Sequence, residues 1–318
     1  MDKNTAAAII HSSLFKSFVQ LGIDRAAFIS AWLRAHAVPH TVVDISGNKN
    51  IIVRYDSSAY NPIFKTKILV GHYDRAEGTQ GANDNSAACM QLMLFAEHLV
   101  HVQDFHNIKI IFTEGEEKGA KGIRNQGAYA LGTGLRKLRM DNEEIYVFDC
   151  CGRGDTLILS ESGIYGRDSG KTQGLQAFHE RCIGYAQRAC PNRFLSLLTP
   201  YSDNAGFIAA GITAQVFTVL PAVEAGILLK NIPVPKSGRA QEPRRFFSFQ
   251  KKSKTAAEEL TDLVIKNKKP DPDSPLAALI PKTWQLMHTE KDAIDSLTPE
   301  AFLLMFRFLR FLETVKEP

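Results

Sequence analysis

Several short stretches of this sequence place histidine and carboxylate residues at the ends of apolar runs, where such side chains can bind a metal ion or move a proton. Residues 67–71 form a short, mostly apolar run of the kind that makes a buried strand. His72 and Asp74 follow where that strand would end, and side chains two apart on extended backbone point the same way. Gly78 and Gly81 loosen the next loop. Asp84 then stands just before residues 86–100, whose apolar positions Ala88, Leu92, Phe95, Ala96 and Leu99 predict an amphipathic helix. One histidine and two carboxylates thus converge on a strand end and a helix start, the edge at which open α/β sheets bind ligands. The stretch reads as the first half of a metal site.

Three further places carry related chemistry. Glu116 and Glu117 follow the apolar run 108–112 and are flanked by glycines. Adjacent carboxylates at a strand end can point different ways, so one can bind a metal while the other takes a proton from water. Asp149 ends the apolar run 145–148, and His288 has Asp292 four residues on, which would orient its ring if the segment were helical. Singly, each is a common solvated or packed residue. Their weight comes from coincidence: His72, Asp84, Glu117 and Asp149 all fall on one rim of one expected sheet.

The elements that must position them alternate. Residues 5–37 carry helical spacing and are expected to form two helices broken near Gly22, the second ended by Pro39. Residues 41–45 and 51–55 read as a hairpin turning at Gly47 and Asn48. Residues 156–160 and 215–220 are further expected strands, and 173–189 and 299–315 further expected helices. Strands alternating with helical stretches indicate an α/β layered domain, with no internal repeat.

Composition sets the class. The chain has 318 residues, 44% hydrophobic and 23% charged, as in an ordinary soluble globular protein able to bury a substantial core. A net charge of +4 is too small to argue for nucleic acid. The five cysteines, two of them the adjacent Cys150 and Cys151, show no framework spacing and read as reduced thiols packed in a cytoplasmic protein. No signal peptide or membrane span is read. The charge is uneven, however: residues 230–269 hold eleven basic and four acidic residues, +7, leaving −3 for the rest. Phe246, Phe247 and Phe249 interleave with these charges inside a basic insertion at about residues 223–282. A solvated insertion with a docked Phe cluster is the simplest reading. A patch for nucleic acid or another anionic partner, and an active-site lid or oligomer arm, are the others.

In chain order, His72-Tyr73-Asp74, Gly81-Ala82-Asn83-Asp84-Asn85, Glu116-Glu117 with its glycines, Phe148-Asp149, Ser202-Asp203-Asn204 and His288-Thr289-Glu290 resemble the motifs of the M28 family of zinc aminopeptidases, over roughly residues 40–310. The resemblance implies a three-layer α/β/α sandwich with a mixed central sheet, as one catalytic domain over residues 1–318. It also implies two zinc ions per chain. Asp84 would bridge them, His72 and Asp149 would complete one, and Glu117 and His288 the other. Glu116 would be the general base and Asp74 the partner that orients His72. Imidazole and carboxylate suit zinc, and two dications bring the pKa of a bound water from about 15.7 toward neutrality, supplying hydroxide. The implied substrate is a peptide or aminoacyl amide cleaved at its N-terminal residue, without nucleic acid or membrane; oligomeric state stays open.

Two positions depart from the family pattern. Asn204 stands where members often have histidine after Ser-Asp, and Met287 where some relatives place tyrosine. Tyr201 or Ser202 is the candidate replacement hydroxyl. The alternatives are a glutaminyl-peptide cyclase with one zinc, which the same fold hosts, and a non-catalytic binding protein using the basic insertion.

Overall fold

A computed structural model describes residues 1–140, 143–164, 169–232 and 255–318. Its centre is one sheet of eight strands: β1 His40–Ile45, β2 Asn48–Val53, β3 Lys67–His72, β4 Ile108–Thr113, β5 Glu144–Phe148, β6 Thr156–Ser160, β7 Phe194–Leu197 and β8 Ala214–Leu220, in the spatial order β1-β2-β4-β3-β5-β8-β6-β7. The four central strands β4, β3, β5 and β8 run parallel, while β2 and β6 pair antiparallel with them. The sheet is therefore mixed, as expected.

Alternation along the strands separates two packed faces. Leu69, Ile110, Phe112, Tyr146, Phe148, Phe217 and Val219 point into the larger core. Their sequence neighbours Ile68, Val70, Ile111, Ile145, Val147 and Val216 point into a second core on the opposite face. Burial on both faces is why these strands read as continuous apolar runs. Helices Ala87–Val100 and Pro299–Thr314 cover the first face, and Gly127–Lys137 with Asp203–Ala209 cover the second.

Helix Ala87–Val100 is buried from Ala87 through Met93 without a break, more than the expected amphipathic stripe. The N-terminal helices and the last helix wrap it, supplying Phe15, Phe18, Phe302 and Phe308 to the same core, and a helix enclosed on all sides needs no polar face.

Residues 5–37 correct the two-helix expectation. There are three helices, Lys3–Ile10, Ser13–Phe18 and Arg25–Ala35. The extra break comes from Ser12, whose hydroxyl accepts the Phe15 amide and caps a fresh helix start. The hairpin turn also sits one residue earlier than expected. Ser46 and Gly47 take the positive φ values of 57° and 77°, and Asn48 already belongs to β2.

Helices Ala222–Asn231 and Ala256–Ile265 frame the described parts of the basic insertion, and Phe246, Phe247 and Phe249 lie outside the described residues. Leu228, Leu260 and Val264 from these helices share a third core with Cys150, Trp284 and Met287. Among the described residues, no helix is long and apolar enough to cross a membrane.

Candidate metal centre

The chain leaves β3 toward β4 on one side and reaches β5 on the other, so the carboxyl ends of these strands open into the crevice where the strand order reverses. His72 is the last residue of β3 and fully buried. Its Nδ1 lies 3.3 Å from the Asp74 carbonyl oxygen and 3.5 Å from Asp74 Oδ1, so the expected orienting contact forms. The Asp74 carboxylate also accepts the amides of Glu116 and Glu117, at 3.2 and 3.1 Å. One side chain thereby fixes the histidine ring and folds the glutamate loop.

Gly81 begins the turn that carries Asp84. It has φ +56°, and a Cβ there would lie 2.5 Å from the Asp84 carbonyl, so the turn requires glycine. The two oxygens of Asp84 face different partners: Oδ1 lies 3.3 Å from His72 Nε2 and Oδ2 lies 3.2 Å from His288 Nε2. Asp149 Oδ1 lies 3.7 Å from His72 Nε2, and Glu117 Oε2 lies 3.2 Å from His288 Nε2. Two groups result, His72–Asp84–Asp149 and Asp84–Glu117–His288, each with its ligand-type atoms within 4.8 Å of one another. All five residues proposed from sequence as metal ligands come together, joined through Asp84.

Glu116 projects differently from Glu117, with Oε1 accepting a hydrogen bond from Gln126 Nε2 at 3.0 Å. Asp203, buried in the first turn of its helix, accepts the Thr113 hydroxyl at 2.5 Å. So many carboxylates in a buried space shift one another. Burial, reinforced by Asp149, Asp203 and Glu117, raises Glu116 well above the usual carboxylate range. Burial likewise pushes Asp203 up to about 6. Burial opposes ionisation of Asp84, yet His288 and His72 hold it below that range, while Asp84 and Glu117 push His288 up to about 10.

Zinc-type ions fit this donor set. His72 Nε2 and Asp149 Oδ1 are buried without a hydrogen-bond partner and face each other across the cluster, and Glu117 Oε1 is likewise buried without one. Buried polar atoms are normally paired, and mixed imidazole and carboxylate donors are what zinc takes.

The model of peptidase family M28 matches residues 50–311. The chain belongs to peptidase family M28. M28 is a family of peptidases, hydrolases of the amide bond, and solved structures agree on the fold. The LapA aminopeptidase of Legionella pneumophila superposes with a TM-score of 0.59 at 12% identity, covering 98% of this chain and 74% of its own. LapB of the same organism gives 0.57 at 14%, covering 97% and 70%. The glutaminyl cyclase of Porphyromonas gingivalis gives 0.56 at 15%, covering 96% and 97%. At these identities the likeness is one of fold. No curated protein matches the sequence significantly.

Asp292 corrects one expectation within this M28 site. Helix Lys282–Leu286 ends before His288, which takes φ +56°, so Asp292 does not reach the ring along a helix. Its carboxylate instead accepts the amides of Asn83 and Asp84, at 2.7 and 3.1 Å. Burial and the Asp84 charge push it up to about 7. At the positions departing from the family pattern, Asn204 accepts the Ser202 amide at 3.0 Å and Met287 packs in the third core. Ser202 keeps a buried hydroxyl oxygen without a partner, and Tyr201 is 38% exposed. Cys150 and Cys151 are buried and unpaired, as packing residues are. Sequence reasoning left out Gln126 and Thr113 and gave Asn83 no role of its own; their types carry no metal signal, and only the fold brings them in.

Proposed function

We propose that this chain is a metallo-aminopeptidase that removes N-terminal residues from peptides or aminoacyl amides, as one catalytic unit with two zinc ions. The observation that carries the reading is the division of Asp84, one oxygen toward His72 and Asp149 and the other toward His288 and Glu117. In it His72, Asp84 and Asp149 would hold one ion and Asp84, Glu117 and His288 the other. Zinc bound there would polarise the scissile carbonyl and acidify a water.

The chain's own residues supply the rest. Glu116, steadied by Gln126 and raised in proton affinity by burial, takes a proton from water and returns it to the leaving amine. Asp74 keeps His72 Nε2 toward the cluster by engaging Nδ1, and holds Glu116 and Glu117 in register through their amides.

The test is metal content beside turnover of leucyl, alanyl and glutaminyl substrates, for the native chain and Glu116→Gln. The expected result is two zinc ions in both proteins, with hydrolysis falling by about 10²- to 10⁴-fold in the variant. Full activity in Glu116→Gln removes it as the base. A glutaminyl cyclase using one zinc is the second reading, since a solved cyclase shares the fold. Such an enzyme would use one group of three and leave buried donors of the other unmatched. One zinc with cyclisation and no hydrolysis would establish it.

A further inference from the structure

We propose that Asn85 is a positioning residue for Asp149, and so for the His72 half of the metal centre alone; this rests on the two-metal reading above. β5 loses its β3 neighbour early. The parallel pairing of the two strands ends at Val70 with Val147, and Gly71 and His72 continue only against β4. On its other side the chain past β5 stays supported, because the Asp149 amide donates to the Phe217 carbonyl and the Cys150 carbonyl accepts from Val219 and Thr218. The edge facing β3 would be left open at Phe148 and Cys150, the residues on either side of the proposed ligand.

Asn85 closes that edge. Its Nδ2 donates to the Phe148 carbonyl at 2.9 Å, and its Oδ1 accepts the Cys150 amide at 3.3 Å. A single fully buried side-chain amide thus stands in for the missing strand's peptide group and straddles Asp149. Asn83 extends the clasp, since its Oδ1 accepts the Gly152 amide at 2.8 Å. The two residues flanking Asp84 therefore tie Asp84 to the Asp149 loop. The Glu117 half is folded by Asp74, and among the described residues no hydrogen bond joins Asn85 to Glu117 or His288.

A residue acting this way weakens one zinc site and spares the other. The experiment is zinc binding across a chelator-buffered concentration series for the native chain, Asn85→Ala, and Asp149→Ala as the reference for loss of the first site. The expected result for Asn85→Ala is one site at native affinity and one weaker by about 10- to 100-fold, the usual effect of removing a residue that orients a ligand. Two native sites, or two sites weakened alike, overturn the inference; the second outcome is what a merely structural role would give. Should Asn85→Ala not fold, Asn85→Ser takes its place, an uncharged side chain whose single, shorter hydroxyl cannot reproduce the two-point clasp on the Phe148 carbonyl and the Cys150 amide. A native chain that binds no zinc overturns the two-metal reading, and a native chain with two sites leaves the variants to judge Asn85 alone.

Discussion

Because Asp84 serves both groups and Asp149 only one, zinc-dependent stability should fall in steps when they are replaced. A ligand at about 100 times its Kd stabilises the folded state by about 2.7 kcal/mol per site, so two sites give about 5 kcal/mol. An unfolding entropy near 2.1 cal/mol/K per residue, taken over 318 residues, amounts to about 0.7 kcal/mol per degree. Moving from that zinc level to excess chelator should then lower Tm by about 8 °C in the native chain. Asp149→Ala should keep about half of that shift, and Asp84→Ala essentially none. The difference is read within each variant by calorimetry in zinc-buffered and chelated solution, because removing a buried carboxylate also moves the metal-free baseline. An Asp84→Ala chain with the native zinc dependence would refute the bridging role. So would an Asp149→Ala chain that loses the whole shift, since it would show the two sites to be one.

Other expectations concern the scaffold. His106 is buried against the Tyr55 and Tyr60 rings, and burial, with Lys316 and Lys67, lowers it to about 4. The unfolded chain therefore binds the extra proton between about pH 6.5 and 4, and stability falls as pH drops through that window. In His106→Gln, urea midpoints of the metal-free protein at pH 6.5, 5 and 4 should show a flatter acid limb; an unchanged slope would rule His106 out. Gly206 lies where helix Asp203–Ala209 crosses Gly127–Lys137, and a Cβ there would sit 2.6 Å from the Tyr129 amide nitrogen. Gly206→Ala should cost about 1–3 kcal/mol in urea unfolding, and a loss below 0.5 would show that the crossing relaxes. Phe308 packs against both Phe148 and Phe217, so Phe308→Ala should cost about 3–5 kcal/mol by the same measurement.

The central strands were legible because burial on two faces writes them as unbroken apolar runs; β3, β4, β5 and β8 each lie within a residue or two of expectation. β7 was not, since Phe194–Leu197 is a short edge strand only partly covered. Helix Gly127–Lys137 was missed because Gly127, Gly132 and Gly134 dilute its apolar stripe, although Gly132 is what lets it approach Ala210 and Phe207. Within the site, the five ligand-type residues and Glu116 stood out by type at strand ends, and the resemblance to the M28 motifs assigned them roles. Asp292 was misread because helical spacing was extended through a segment whose His288 has a left-handed backbone. Asn85 and Gln126 were invisible because an amide's role depends on which backbone groups lack a partner.

The first helix, Lys3–Ile10, buries Ala6 and Ile10 against the last, Pro299–Thr314, with Lys3 paired to Glu300 at 2.5 Å and Phe15 meeting Phe302 edge-on. During synthesis that apolar face has to wait. Residues 11–298 intervene, which at about 5–20 residues per second is roughly 15–60 s before the partner leaves the ribosome. Helix Ala87–Val100, the innermost helix, stays uncovered on the same side over much of that interval. The larger core is thus closed only once Pro299–Thr314 has been made. A nascent chain arrested before residue 299 would leave Ala6, Ile10 and Phe15 without their partner helix, a surface suited to chaperone capture.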